Sequence, residues 1–98
     1  MIRIRWSVSA QLDLREIHSY IARDSRVYAR RFVDRVRMAV ESIPRFPESG
    51  CRVPEWDRDD IREVYVGHYR VIYRVSDAVE IIAVLHAARN LPELDSFG

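Results

Sequence analysis

The apolar positions of this chain change period along its length, and the changes mark out the elements. "IRIRW" at 2–6 alternates, with Ile2, Ile4 and Trp6 on one side and Arg3 and Arg5 on the other. That is the period-two pattern of a strand with one buried face. From Ala10 the spacing becomes four, three and four, through Leu14, Ile17 and Ile21. This is one helical stripe, for which Ser7 or Ser9 supplies the cap. The helix is expected to stop near Arg23, Asp24 and Ser25. Ser25 then caps a second helix whose stripe is Ala29, Val33, Val36, Val40 and Ile43, widened by Phe32. Pro44 and Pro47 mark its end. Residues 8–44 therefore read as a helical hairpin with a tight link.

"RFPESGCRVPEWDRDD" (45–60) carries Pro47, Gly50 and Pro54 and reads as a loop, with a short extended piece near Val53. The segments at 61–67 and 69–76 are rich in Val, Ile and Tyr and read as strands joined by a turn at Gly67 and His68. A second turn at 76–78 leads to "VEIIAVLHAA" (79–88), whose central apolar run suits a strand buried on both faces. The tail from 89 reads as irregular. The order is β-α-α-β-β-β, an α+β fold. The helical hairpin is expected to cover one face of a twisted, mainly antiparallel four-stranded sheet, because each layer needs a partner for its apolar side. The first strand should join beside one of the other three.

Composition narrows the chemistry. The chain of 98 residues is expected to form one domain, 1–98, with an ordinary core. No apolar run approaches the roughly 20 residues of a membrane span, and the N-terminus lacks a signal-peptide stretch. A cytoplasmic protein is expected. Cys51 is the sole cysteine, which excludes an internal disulfide and a Cys-based zinc site. It has no obvious activating neighbour in the sequence, and its role stays open. His18, His68 and His86 show no metal-ligand spacing, so neither metal nor cofactor is expected. Net charge is +1, so bulk charge gives no pull toward nucleic acid. All 16 basic residues are arginine. That removes lysine as a base, a Schiff-base former or a phosphate anchor; arginine binds anions but is a poor proton shuttle.

The element order and several motifs together resemble the RelE/ParE superfamily of bacterial toxins from type II toxin–antitoxin modules. The likeness runs through Ala10, Asp13, Leu14, Ile17, Tyr20 and Ile21, then Phe32 and Val36. It continues with Pro47 and Gly50, then Pro54 and Glu55. It closes with "RE" at 62–63, "YRVIYRV.D" at 69–77 and "VLH.AR.LP" at 84–92. The resemblance implies a helical hairpin on a twisted antiparallel sheet and a cognate antitoxin, expected to be ParD-like with a ribbon-helix-helix pattern. It leaves two targets. RelE-type members cut messenger RNA in the ribosome, whereas ParE-type members inhibit DNA gyrase.

RNA cleavage by 2′-hydroxyl attack needs a base, an acid and a cation for the developing phosphorane charge. RelE members rely on lysines, which are absent here. The YoeB-like branch uses a glutamate, an arginine and a C-terminal His-Tyr pair. Glu55 and Arg62 match the first two, but Ala88 and Arg89 stand where His-Tyr should be. His86 misses by two residues, which keeps it on the same strand face. The wording is closer to ParE members. The expectation is therefore a gyrase-inhibiting toxin without catalytic residues. A message-cutting nuclease using Glu55, Arg62, His86 and Arg89 is the alternative, and an inactive interaction module the second alternative.

Arg62, Arg89 and Trp56 are the target-contact candidates. Arg62 reads equally as an ion pair holding the acidic 57–60 run, and Trp56 is open between loop and interface. Glu55 reads better as a partner of Arg52 or Arg58, His86 as a hydrogen-bonded structural residue, and Trp6 as core. Arg70 and Arg74 share a strand face and read as scaffold, through cross-strand salt bridges or stacking. The outer face of the second helix offers Arg30, Arg31, Arg35 and Arg37 to acidic antitoxin residues. Its plainer reading is a solvated face with Asp34 paired to Arg30 or Arg31. The hairpin's outer edge and one sheet face are expected to be incompletely covered, open to an amphipathic helix or an extended segment.

Overall fold

A computed structural model describes residues 2–91; Met1 and residues 92–98, with Pro92 of the last motif and most of the tail, lie outside the described residues. The opening alternation becomes β1 (Arg3–Trp6), with both arginines exposed and Ile4 and Trp6 half-buried against the core. Ser7 caps α1 (Val8–Ala22). Its hydroxyl oxygen accepts from the Ala10 N–H and its hydroxyl donates to the Ile82 carbonyl, each at 3.0 Å. One serine therefore starts the helix and ties it to the sheet. Ser25 caps α2 (Arg26–Ser42) by accepting from the Tyr28 N–H. α2 buries Ala29, Phe32, Val36 and Val40, the three-four stripe of an amphipathic helix. Pro44 does not break the chain's course. It sits in a short 3₁₀ turn (Ile43–Arg45), where a missing N–H is tolerated.

The sheet has five strands where four were expected. β2 (Cys51–Arg52) pairs antiparallel with β3 (Ile61–Val66), so the short extended piece expected near Val53 is a two-residue edge strand added to the sheet. Two residues carry no periodicity to detect. β3 turns at Gly67, where φ is 59°, into β4 (Tyr69–Val75), and β4 returns as β5 (Ala78–His86). The order is β1-β5-β4-β3-β2. β1 runs parallel to β5, and the other pairs are antiparallel. The crossover through α1 and α2 is what a parallel pair requires.

The apolar run of β5 has a specific cause. Ile72 stands opposite Ala83 and Tyr73 opposite Ile81, so Ile82 is an extra residue in a bulge. Val79, Ile81 and Val84 face the helices with Val66, Val71 and Tyr73. Ile82 and Ala83 join Val53, Trp56, Ile61, Ile72 and Leu91 in a second core on the far face. The expectation of an incompletely covered sheet face is corrected there: Val53, Trp56 and Leu91 fold over it. Trp56, a target-contact candidate, is 8% exposed and belongs to this core. A tryptophan in a polar stretch looked like surface because the sequence does not show that the loop doubles back. Among the described residues no helix is long and apolar enough to cross a membrane.

Candidate functional site

Alternation along β4 puts Arg70, Ile72 and Arg74 on the face away from the helices. Arg70 is almost fully enclosed, with 5% of its side chain exposed. Its Nε donates to Glu63 Oε1 at 2.6 Å, and its two terminal nitrogens donate to the two oxygens of Glu55 at 2.8 Å each. Nη1 also donates to the Arg89 carbonyl at 3.3 Å, and the Leu91 N–H donates to Glu55 at 3.0 Å. One guanidinium thus joins two strands, the 53–60 loop and the C-terminal segment. Its fork matches a carboxylate pair that burial would otherwise penalise. The Arg70 guanidinium pulls Glu55 from its ordinary 4.5 down to about 2, and the two carboxylates push Arg70 above its usual range.

Glu55 was expected to pair with Arg52 or Arg58, and this is corrected. Arg52 meets Asp57 and Asp59 instead, and Arg58 meets Asp60. The acidic run thus takes up both arginines, leaving Glu55 for the sheet. Arg74 pairs with Glu80 at 2.6 Å across β4 and β5. Arg62 lies on the helix-facing side of β3 and donates to the Gly50 carbonyl at 3.1 Å rather than to the acidic run. Beside it, the Tyr73 hydroxyl donates to the Pro47 carbonyl and accepts from the Gly50 N–H. The "P..G" motif is therefore a loop clamped by Tyr73, and a Cβ at Gly50 would stand 2.4 Å from the Tyr73 hydroxyl oxygen.

His86 and Arg89 meet in a different place. After Trp6, β1 leaves the sheet and α1 takes over the edge of β5. The Ser7 N–H donates to the Ile81 carbonyl, and Asp13 accepts from the Val84 N–H at 3.0 Å. Next to that bond lies a pocket of about 410 Å³. α1 supplies Asp13, Glu16 and Tyr20 to it, at spacings of three and four that share one helix face. Tyr69, His86 and Arg89 close the other side. Burial pushes the Asp13 carboxyl up; the Val84 N–H and Arg89 oppose the shift and Glu16 adds to it. His86 is exposed. Its Nδ1 accepts from the Ala88 N–H at 3.1 Å, which places the ring proton of the neutral form on Nε2. The ring lies edge-on to Tyr69 and is stacked on His68.

Of the residues singled out from sequence, this pocket brings together His86 and Arg89. It includes neither Glu55, Arg62 nor Trp56. Asp13, Glu16, Tyr20 and Tyr69 were not among the candidates. Asp13 and Tyr20 stand in the first-helix motif as polar positions flanking the apolar stripe, which is the signal that pointed to them. The four candidate arginines of α2, Arg30, Arg31, Arg35 and Arg37, are all exposed but divide between two flanks. Arg30 and Arg37 border a groove against α1. Arg31 lies over the Tyr28 ring at 5.9 Å, and Arg35 approaches the Gly67 turn. Among the described residues no ion pair joins Asp34 to Arg30 or Arg31, and no group of three potential metal ligands occurs.

Residues 4–91 match the family described as ParE toxin of type II toxin–antitoxin system, parDE. The chain belongs to this ParE toxin family. It is 35% identical over 96 residues to Y4kP of Sinorhizobium fredii, which is named as a candidate toxin, across 94% of this chain and 95% of the relative. It is 34% identical over 91 residues to the toxin RelE2 of Caulobacter vibrioides, across 91% of this chain and 99% of that protein. Among solved structures, a chain of the chromosomal ParDE toxin–antitoxin system from P. aeruginosa superposes with a TM-score of 0.72. That match covers 88% of this chain and 96% of the other at 18% identity, and it shows the shared fold. The superfamily resemblance carried by the motifs is thus upheld, and this ParE-family chain is a toxin component of a type II system.

Proposed function

We propose that the chain arrests bacterial growth by inhibiting DNA gyrase in the cytoplasm, and that a ParD-like ribbon-helix-helix antitoxin neutralises it. The family match supports the toxin role. The observation that carries the choice of target is the state of Glu55. A carboxylate held at about 2 by a bidentate arginine is a poor general base at neutral pH. The remaining nuclease candidates do not replace it. Arg62 is engaged with the Gly50 carbonyl, and the His86 nitrogen that would take a proton already accepts a hydrogen bond from the Ala88 N–H. Arg89, beside the acidic and aromatic residues of α1, is the exposed cation that remains for a target contact.

A second reading, cleavage of ribosome-bound message, is favoured by one observation. Asp13, Tyr20, Tyr69, His86 and Arg89 place acid, base and cation around a single pocket. Two assays separate the readings. Inducible expression should arrest growth; no arrest would leave only an inactive interaction module. The purified protein should inhibit gyrase supercoiling and leave ribosome-bound message intact. Cleaved message with normal supercoiling would reverse the assignment.

A further inference from the structure

The pocket at the end of β5 holds opposite charges that do not pair. Asp13 and Glu16 stand on its α1 wall and Arg89 on the other, and no ion pair joins them among the described residues. Glu16 and Arg89 nevertheless both act on Asp13 through space, so the three charges surround one opening. One Asp13 oxygen accepts from the Val84 N–H. The other has no donor among the described residues and is left as an acceptor for whatever enters. The remaining walls include flat rings. Tyr69 is held against Phe32, with ring centroids 4.9 Å apart, and meets His86 edge-on at 5.4 Å. Tyr20 stands across from them on α1. At about 410 Å³ the space suits a small ligand.

The walls specify what fits: a planar group with neighbouring donors on one edge and acceptors on another. A guanidinium or ammonium group would satisfy the carboxylates but is repelled by Arg89. A guanine base satisfies both sides. Its N1–H and N2–H2 donate side by side to a carboxylate, its O6 and N7 accept from an arginine as a bidentate pair, and its faces stack on aromatic rings. Adenine carries an acceptor at N1, where guanine carries a donor, and a carboxylate there repels it. Neutral His86 has its proton on Nε2, because Nδ1 accepts from the Ala88 N–H, and so adds a donor beside Arg89. We propose that this pocket is a guanine-nucleotide site. Asp13 and Glu16 read the N1–H and N2–H2 edge, Arg89 takes O6 and N7, and Tyr20 and Tyr69 supply the stacking surface. The guanine arrives as a free nucleotide or within a single strand. The site binds without making or breaking a bond, and it does not depend on whether gyrase or message is the toxin's target.

The test is calorimetric titration of the purified chain with GMP, IMP and AMP, which share sugar and phosphate and differ at the base. GMP should bind at least about tenfold more tightly than AMP, with IMP, which lacks the N2 amino group, in between. Asp13→Asn keeps an acceptor for the Val84 N–H and turns the free oxygen into a donor. It should weaken GMP by about tenfold or more and bring AMP level with GMP or above it, an inversion that mere loosening of the fold does not produce. Arg89→Gln should also cost GMP about tenfold, whereas Arg31→Gln, on the far flank of α2, should cost no more than about twofold. Thermal melts matching the parent's confirm that the variants fold. Short guanine-containing strands of DNA and RNA separate the sources. Affinity above that of GMP places the guanine in a strand, and the tighter of the two strands names it; affinity no higher assigns the pocket to a free nucleotide, and each result upholds the site. No binding of GMP, equal affinity for GMP and AMP, or unchanged selectivity in Asp13→Asn overturns the proposal, while the supercoiling and message assays decide the target separately.

Discussion

Replacing Arg70 with methionine tests what holds the far face of the sheet together. Methionine keeps most of the length and removes the charge. Glu63, 3% exposed on its side chain, is then left in the interior with, among the described residues, only the Tyr65 hydroxyl as a side-chain donor, at 3.2 Å. Breaking one side of a buried pair costs about 3–5 kcal/mol, because the surviving charge has lost its partner. Glu55 adds less. Its depression from 4.5 to about 2 would correspond to about 3 kcal/mol at most. Because Glu55 is partly open to solvent, about 1 kcal/mol is the sounder figure. The sum is a large share of the roughly 5–15 kcal/mol that stabilises a domain of this size. Urea unfolding followed by far-ultraviolet circular dichroism measures it, provided the slope with denaturant is unchanged. The companion variant is Arg70→Met/Glu63→Met, which replaces the buried pair with apolar volume. It should recover at least about 2 kcal/mol relative to the single substitution, since a packed apolar pair often equals a buried ion pair. A loss below about 1 kcal/mol for Arg70→Met, or a double variant no more stable than the single, would refute the claim that charge pairing governs this face.

Glu55 also sets an acid limit. Its folded pKa is depressed, so its contribution is complete above its ordinary 4.5 and disappears as pH falls toward about 2. Glu55→Gln should flatten the stability profile in that window when unfolding is measured across it. Asp13 has the opposite sign: its folded pKa is raised, so its contribution is present at low pH and lost as pH rises through the raised value. Asp13→Asn keeps an acceptor for the Val84 N–H and should match or exceed the parent's stability at pH 7, whereas Asp13→Ala, which leaves that N–H bare, should cost about 1–3 kcal/mol. Gly50→Ala drives a methyl to 2.4 Å from the Tyr73 hydroxyl and 2.7 Å from the Glu63 carbonyl. It should cost about 2–4 kcal/mol, and adding Tyr73→Phe should recover only part, since the backbone clash persists.

The elements that were legible are those whose period is repeated long enough to be read. Ile2, Ile4 and Trp6 pack against the core, and Ala29, Phe32, Val36, Val40 and Ile43 are buried as their spacing assigns, as are the inner faces of the two hairpin strands; Val33, in the same stripe, is only half-buried and borders the groove between the helices. Ser25 caps as expected, and of the two serines offered for the first helix Ser7 does the work. What escaped depends on contacts between distant segments. The extended piece near Val53 was legible, but not that Cys51 and Arg52 would lie beside Glu63 and Arg62 and so become β2. The bulge at Ile82 is a matter of register with β4, invisible in a run that is apolar throughout. Asp13 and Tyr20 were quoted as motif positions, yet nothing local shows that their helix face meets the end of a strand some seventy residues later.

Arg70 shows the same limit from the other side. Alternation correctly places it on the outer face of β4, and on a two-layer fold an arginine there would be solvated. It is buried because Val53, Trp56 and Leu91 form a third layer over that face, and Glu55 in the same loop brings the charge that makes burial tolerable. Loop and arginine therefore depend on each other: without the second core Arg70 would need no partner, and without Glu55 and Glu63 the second core would trap a bare cation. The Arg89 carbonyl hangs from the same guanidinium while the Arg89 side chain lines the pocket with His86. The hairpin arginine thus helps to fix where the C-terminal segment crosses the sheet.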